Sequence, residues 1–197
     1  VLFFMIIYLI LLASFIYPSN LCSICSDPLP KIFHTDSWGN NFHKSHLKKS
    51  IFCNSCNRII SESITQGGYI LPDSRYICNL CHQSSIFDKS QLNSIEIENL
   101  IFLDKLGLKI NEKLNINLIN QSALSDSLSR QGLHTSSFQA ITKCYKNSCS
   151  IYILSHLPKL LFQSILMHEM VHVWFRTNKI NVDIRQEEGF CNLVSSH

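Results

Sequence analysis

The chain has little charge and little charge imbalance: 16% of its 197 residues are charged, and the net charge is +3. It has no basic run with interleaved aromatics, so a nucleic-acid interface is not expected; Lys44, His46, Lys48 and Lys49 form only a local patch of the kind that stays solvated. Internal repeats are absent beyond pairs of cysteines, and there is no low-complexity tail, which excludes a solenoid or a linker-like tail. No charged residue occurs before Asp27, and residues 1–17 are almost wholly apolar. That stretch reads as a membrane anchor or a signal peptide. It lacks the basic start of a signal peptide, and lysines are enriched downstream of it. An anchor holding the rest of the chain in the cytosol is therefore favoured, with a secreted protein as the alternative.

Glycine and proline are also missing from residues 159–176, where apolar side chains at 161, 165, 166, 170, 173 and 174 predict a buried helix. Within it lies His168-Glu-Met-Val-His172. Shuffling this composition yields such a pattern in about one or two chains in a hundred, so its context decides. On a helix the two imidazoles stand one turn apart on one face. A hydrolytic zinc takes three protein ligands and keeps a fourth position for water. His168 and His172 supply two ligands, and Glu169 is the candidate general base that deprotonates the water and protonates the leaving amine. The third ligand is expected from a second helix. Asp183, with Gln186 three residues later, reads as a capping box opening one, and Glu187 and Glu188 fall in its early turns.

The order His-Glu-x-x-His, fifteen residues, Glu, Gly resembles the gluzincin peptidases, in which the Glu before Gly-Phe binds the metal. That resemblance makes Glu188 the ligand and Glu187 a supporting or rival group.

Of nine cysteines, six form pairs: Cys22 with Cys25, Cys53 with Cys56, Cys78 with Cys81, each separated by two residues. His43 and His46 lie between the first two pairs. The order divides into two closed tetrahedral zinc sites, Cys22/Cys25/His43/His46 and Cys53/Cys56/Cys78/Cys81. A disulfide framework in an exported protein is the alternative. The layout resembles a LIM module, with His46 where Cys is more usual and a longer spacer before Cys53; Trp38 and Phe42 resemble the aromatics packed there. So small a module has too little core to fold securely by burial alone, and metal is expected to supply much of its stability.

Taken together, Leu157-Pro-Lys-Leu-Leu, residues 164–176 and Glu187-Glu-Gly-Phe-Cys191, preceded by the zinc module ending at Cys81, resemble the LIM-peptidases of plant organ-growth control, with their DA-one-like C-terminal region. The resemblance spans residues 20–197. It implies a zinc metallopeptidase cutting protein substrates, activated by and binding ubiquitin in the plant members. No acidic helical ubiquitin-interacting segment precedes the zinc module, so ubiquitin enters as a partner by family analogy only. The stretch between Gly132 and Cys144 is short for the family, which implies a pared-down substrate groove.

The expected architecture is α+β: residues 1–19 a signal peptide or membrane anchor, 20–86 a LIM-like zinc-binding module, 87–197 a small gluzincin-type metallopeptidase domain. A linking helix is predicted over 91–106, capped by Gly107, with a strand over 114–118, a helix over 121–128 and a strand over 150–154. By gluzincin analogy the last strand is the candidate holder of an extended substrate. Tyr145, Tyr152 and His156 are candidate oxyanion stabilisers. Cys144 and Cys149 either form a small disulfide loop or stay free, and Cys191 packs as a small hydrophobe near Glu188. The expected cofactors are one catalytic and two structural Zn²⁺ ions, and the expected partner is a protein or peptide substrate. The rival function is a non-catalytic LIM-like adaptor that binds a protein partner; a secreted, disulfide-stapled binding protein is a third.

Overall fold

The computed structural model describes residues 20–129, 138–145 and 148–196. The apolar segment 1–17, and residues 130–137 of the stretch read as a pared-down groove, lie outside the described residues. Among the described residues no helix is long and apolar enough to cross a membrane.

Mixed α and β elements follow one another as β1 (His34–Thr35), β2 (Asn41–Phe42), α1 (Lys44–Lys49), α2 (Glu62–Thr65), β3 (Gly68–Ile70), β4 (Tyr76–Cys78), α3 (Asn79–Gln83) and β5 (Ser85–Ile86). After a 3-10 turn (Lys89–Gln91) come α4 (Leu92–Lys105), β6 (Asn115–Ile119), α5 (Gln121–Ser129), β7 (Ala140–Tyr145), β8 (Ser148–Leu154), β9 (Leu157–Pro158), α6 (Lys159–Thr177) and α7 (Ile184–Ser195).

The first part is built from short hairpins around cysteines and carries two small apolar clusters of its own. One gathers Cys22, Phe42 and Ile59; the other gathers Cys53, Leu71, Ile77, Cys78 and Cys81. The Cys22-x2-Cys25 and Cys53-x2-Cys56 pairs make the same loop. Ser26 N–H donates to the Cys22 carbonyl and Asn57 N–H to the Cys53 carbonyl, both at 2.9 Å, with Ser26 and Asn57 each in the left-handed region. Gly68 has no room for a side chain, since a Cβ there would stand 2.8 Å from both the Ile77 carbonyl oxygen and Ile60 Cγ2. Phe42 is buried as expected, whereas Trp38 is half-exposed. Its Nε1 donates to the Cys56 carbonyl at 3.0 Å and the Arg58 guanidinium lies 3.6 Å over its ring, so it ties the two cysteine groups together.

The second part has one core. Alternation in β8 buries Ile151 and Ile153 completely, and Phe162, Leu166, Met170 and Val173 repeat at helical spacing along α6, which packs on that sheet. Burying each such side chain contributes about 1.5–3 kcal/mol. The 91–106 helix forms as α4, and Gly107 follows it at φ +78°. Leu103 and Leu108 pin this end as Leu108 N–H donates back to the Leu103 carbonyl at 2.9 Å.

The sheet corrects one expectation. Its order is β6-β8-β7, with β6 parallel and β7 antiparallel to β8. The 150–154 strand is therefore central, with both edges paired, and cannot take an extended substrate. Among the described residues β7 has the free edge on the side of the histidines.

Candidate metal and active site

α6 starts directly after Pro158, whose ring suits the residue before a helix that needs no donor there, and runs unbroken to Thr177. It sets His168 and His172 one turn apart with Nε2 atoms 3.1 Å from each other. α7 crosses it, opened by the predicted capping box: Asp183 accepts from Arg185 N–H at 2.9 Å and Gln186 reaches back to Asp183 N–H. This start delivers two adjacent carboxylates to different places. Glu188 Oε2 lies 3.3 Å from His168 Nε2, and its Oε1 lies 3.4 Å from His172 Nε2. Glu187 is buried and turns to the opposite side of the imidazole, where Oε1 is 2.8 Å from His172 Nδ1. Arg176 Nη2 closes the back of that carboxylate at 3.2 Å from each oxygen.

Ligands held ~2.0–2.1 Å from one tetrahedral ion stand roughly 3.3–3.4 Å apart. The 3.1, 3.3 and 3.4 Å separations among the two Nε2 atoms and the Glu188 carboxylate fit that geometry. Cys191 Sγ also lies within 4.8 Å of both histidine donors, but it approaches His172 Nδ1, at 3.6 Å, the nitrogen that Glu187 already holds. Burial, with the surrounding carboxylates, pushes its thiol up to about 12, so it packs as the small neutral group expected.

These groups line a cleft of about 350 Å³ walled by Leu128, Phe138, Ile141, Thr142, Cys144 and Ile184. A larger cavity of about 550 Å³ between α4, α6 and α7 contains none of the metal-donor groups and has no part in this chemistry. Glu169 lies in the cleft and is nevertheless buried. Burial raises its carboxyl above the ordinary range, against the Thr142 hydroxyl, which donates to Oε2 at 2.6 Å. Burial also lowers His168, helped by His172 and opposed by Glu188, which favours the neutral imidazole a metal needs.

Two further groups could hold metal: Cys22, Cys25, His43 and His46, and Cys53, Cys56, Cys78 and Cys81, the donor atoms of each lying within 4.8 Å of one another. His43 offers Nδ1, 3.5 Å from Cys25 Sγ, while its Nε2 lies 3.1 Å from the Pro28 carbonyl, so that hydrogen bond fixes the tautomer. Backbone donors face the sulfurs, Ile24 N–H at 3.5 Å from Cys22 Sγ and Cys78 N–H at 3.3 Å from Cys53 Sγ. Burial opposes ionisation of Cys22, but the backbone donors of Cys25, Ile24 and His43 outweigh it and draw the thiol to about 6. Cys53 is held well below the ordinary thiol range by hydrogen bonds from Cys56 and Cys81. All six paired cysteines are free thiols, which does not support the disulfide framework; Cys144 and Cys149 do form a disulfide, across the β7–β8 hairpin.

Tyr145, Tyr152 and His156 do not line the cleft. His156 instead packs with His82 and Phe87, the three ring centroids standing 5.5–6.4 Å from one another, and Tyr152 lies beneath the Lys143 ammonium. Sequence reasoning missed Arg176 and Thr142. Arg176 was within reach, because 168, 172 and 176 form one stripe of the helix. Thr142 carried no local signal, since its contact depends on how β7 pairs.

A family model described as DA1-like: Protein DA1 matches residues 81–197. The chain is 26% identical over 195 residues to Protein DA1-related 1 of Arabidopsis thaliana, covering 80% of this chain and 35% of that protein. It is 25% identical over 220 residues to Protein DA1 of the same plant, covering 88% and 40%. To the LIM domain-containing protein HDR3 of Oryza sativa subsp. japonica it is 23% identical over 194 residues, covering 80% and 38%. The chain thus spans less than half the length of these relatives. No solved structure matches it. With more than half of its residues matched by the family model, the chain belongs to the DA1-like family.

Proposed function

We propose that the chain is a zinc-dependent metallopeptidase of gluzincin type that hydrolyses peptide bonds in protein substrates. In this reading residues 87–197 form the peptidase domain, and residues 20–86 form a LIM-like module, held by two structural zinc ions, that binds partner or substrate. The observation that carries it is the convergence of two Nε2 atoms and one carboxylate at 3.1–3.4 Å beside a buried glutamate.

His168, His172 and Glu188 would hold the ion. Zinc bound there supplies an electrophile that acidifies the attacking water and polarises the scissile carbonyl. Glu169 removes the proton of that water and later delivers it to the leaving amine. Its burial raises its pKa, which helps it serve as acid in the second step. Glu187 fixes the His172 ring through Nδ1, and Arg176 keeps that buried carboxylate paired. The free edge of β7 is the element on which an extended substrate backbone can pair, with Leu128, Phe138, Ile141 and Ile184 receiving apolar side chains. Ubiquitin is a proposed partner on family analogy alone.

Zinc content separates this reading from the adaptor. The reduced, purified chain is expected to hold three zinc ions, and His168→Ala two. Two ions in both, without proteolysis, would favour the adaptor.

A further inference from the structure

Thr142 lies on β7, outside the helices that carry the proposed metal donors and base. Its Oγ1 stands 2.6 Å from Glu169 Oε2 and 3.3 Å from the Glu169 carbonyl oxygen. Only one of the two partners at Oε2 carries a proton when the glutamate is ionised, so the hydroxyl donates, at a length typical of charge-assisted O–H···O⁻ bonds. Glu169 reaches Oε2 through three rotatable bonds, and within the helix nothing fixes the last of them. Thr142 itself is fixed. It pairs with Ile151 in the β7–β8 ladder, and the Cys144–Cys149 disulfide closes the same hairpin two residues further on.

We propose that Thr142 is a positioning residue for Glu169: by holding Oε2 from the edge strand it leaves Oε1 turned to the cleft as the oxygen that takes the water proton. The proposal rests on the peptidase reading. In the proton transfer, the water O–H bond breaks and an Oε1–H bond forms, while the threonine proton stays on Oγ1. The same strand edge would pair with substrate, so the base and the scissile bond take their positions from one element. A misplacement of about 1 Å in such a group costs about a hundredfold in rate.

The test compares zinc-loaded wild type, Thr142→Val, Thr142→Ser and Glu169→Gln on one fluorogenic peptide selected by the wild type from a proteome-derived peptide library. Valine keeps the shape and strand preference of threonine and removes the hydroxyl. Thr142→Val is expected to lower kcat about tenfold to hundredfold with KM and zinc content unchanged, and Thr142→Ser to recover most of the loss. A second readout needs no turnover: in zinc-loaded, substrate-free protein labelled with ¹³C at glutamate carboxyls, the Glu169 signal, identified by its loss in Glu169→Gln, should shift in Thr142→Val and stay in Thr142→Ser. Equal kcat and an unshifted signal in Thr142→Val, or equal losses in the valine and serine variants, would overturn the positioning role while leaving the peptidase reading intact. Full turnover by Glu169→Gln would instead remove the peptidase reading and the role of Thr142 with it.

Discussion

Arg75 donates through Nη2 to the carbonyl oxygen of Ser155 at 2.9 Å, joining the turn of the second cysteine group to the loop that leads into α6. The same turn sends Asp73 across: its Oδ2 accepts from Arg75 Nε and from Gln121 N–H at the start of α5, both at 2.9 Å. His156 N–H donates to the Ile86 carbonyl at 2.7 Å beside them, so the loop before the donor helix is held by residues that the cysteine group positions. Disturbance of that group should therefore reach the cleft.

Arg75→Met is expected to destabilise the protein by about 3–5 kcal/mol, because it leaves the Asp73 carboxylate buried without its cation. Urea denaturation measures the loss, and a change below 1 kcal/mol would show that the junction is not under load. Asp73 also gives the junction a pH dependence. Burial opposes its ionisation, but Gln121 N–H and Arg75 outweigh it and lower its pKa. A depressed folded pKa means stability fully present above the ordinary aspartate value of about 3.9 and lost as pH falls through the lower folded value. Asp73→Asn should flatten acid unfolding in that range.

Glu187→Ala removes the acceptor at His172 Nδ1 and frees Arg176. Zinc affinity at the histidine pair is expected to fall about 10–100-fold, measured by competition with a chelator, with the cysteine-bound metal unaffected. Unchanged affinity would mean that α6 alone orients the ring.

Chelation should abolish hydrogen-exchange protection over residues 22–81, whose two apolar clusters are too small to hold these hairpins, while β6, β8 and α6 stay protected by their own core. Reductant without chelator should leave 22–81 protected, because its cysteines are free thiols and only the Cys144–Cys149 bridge is reducible. Loss of protection in reductant alone would restore the disulfide reading.

Much of this was legible along the chain because it depends on neighbours. The α6 period, the Asp183–Gln186 box, Gly107 after α4 and the paired cysteines are all set within a few residues. Pairing between strands is not. Strand 150–154 was identified, but its parallel pairing with β6 depends on residues more than 30 positions away, as in the Asn115↔Ser150 register, and so the free edge passed to β7 unseen. The Thr142–Glu169 and Arg75–Ser155 contacts, 27 and 80 residues apart, have the same origin. Glu187 and Glu188 were ranked through family resemblance, and the crossing of α7 over α6 sets them apart in space: a step of one residue turns a helical side chain by about 100°, so one carboxylate faces Nδ1 and the other Nε2.

The most direct measurement is peptide cleavage by Glu169→Gln, with zinc content and thermal unfolding recorded on the same sample. Loss of the base should abolish turnover while all three ions and the melting transition are retained. Turnover equal to that of the wild type would contradict the assigned chemistry.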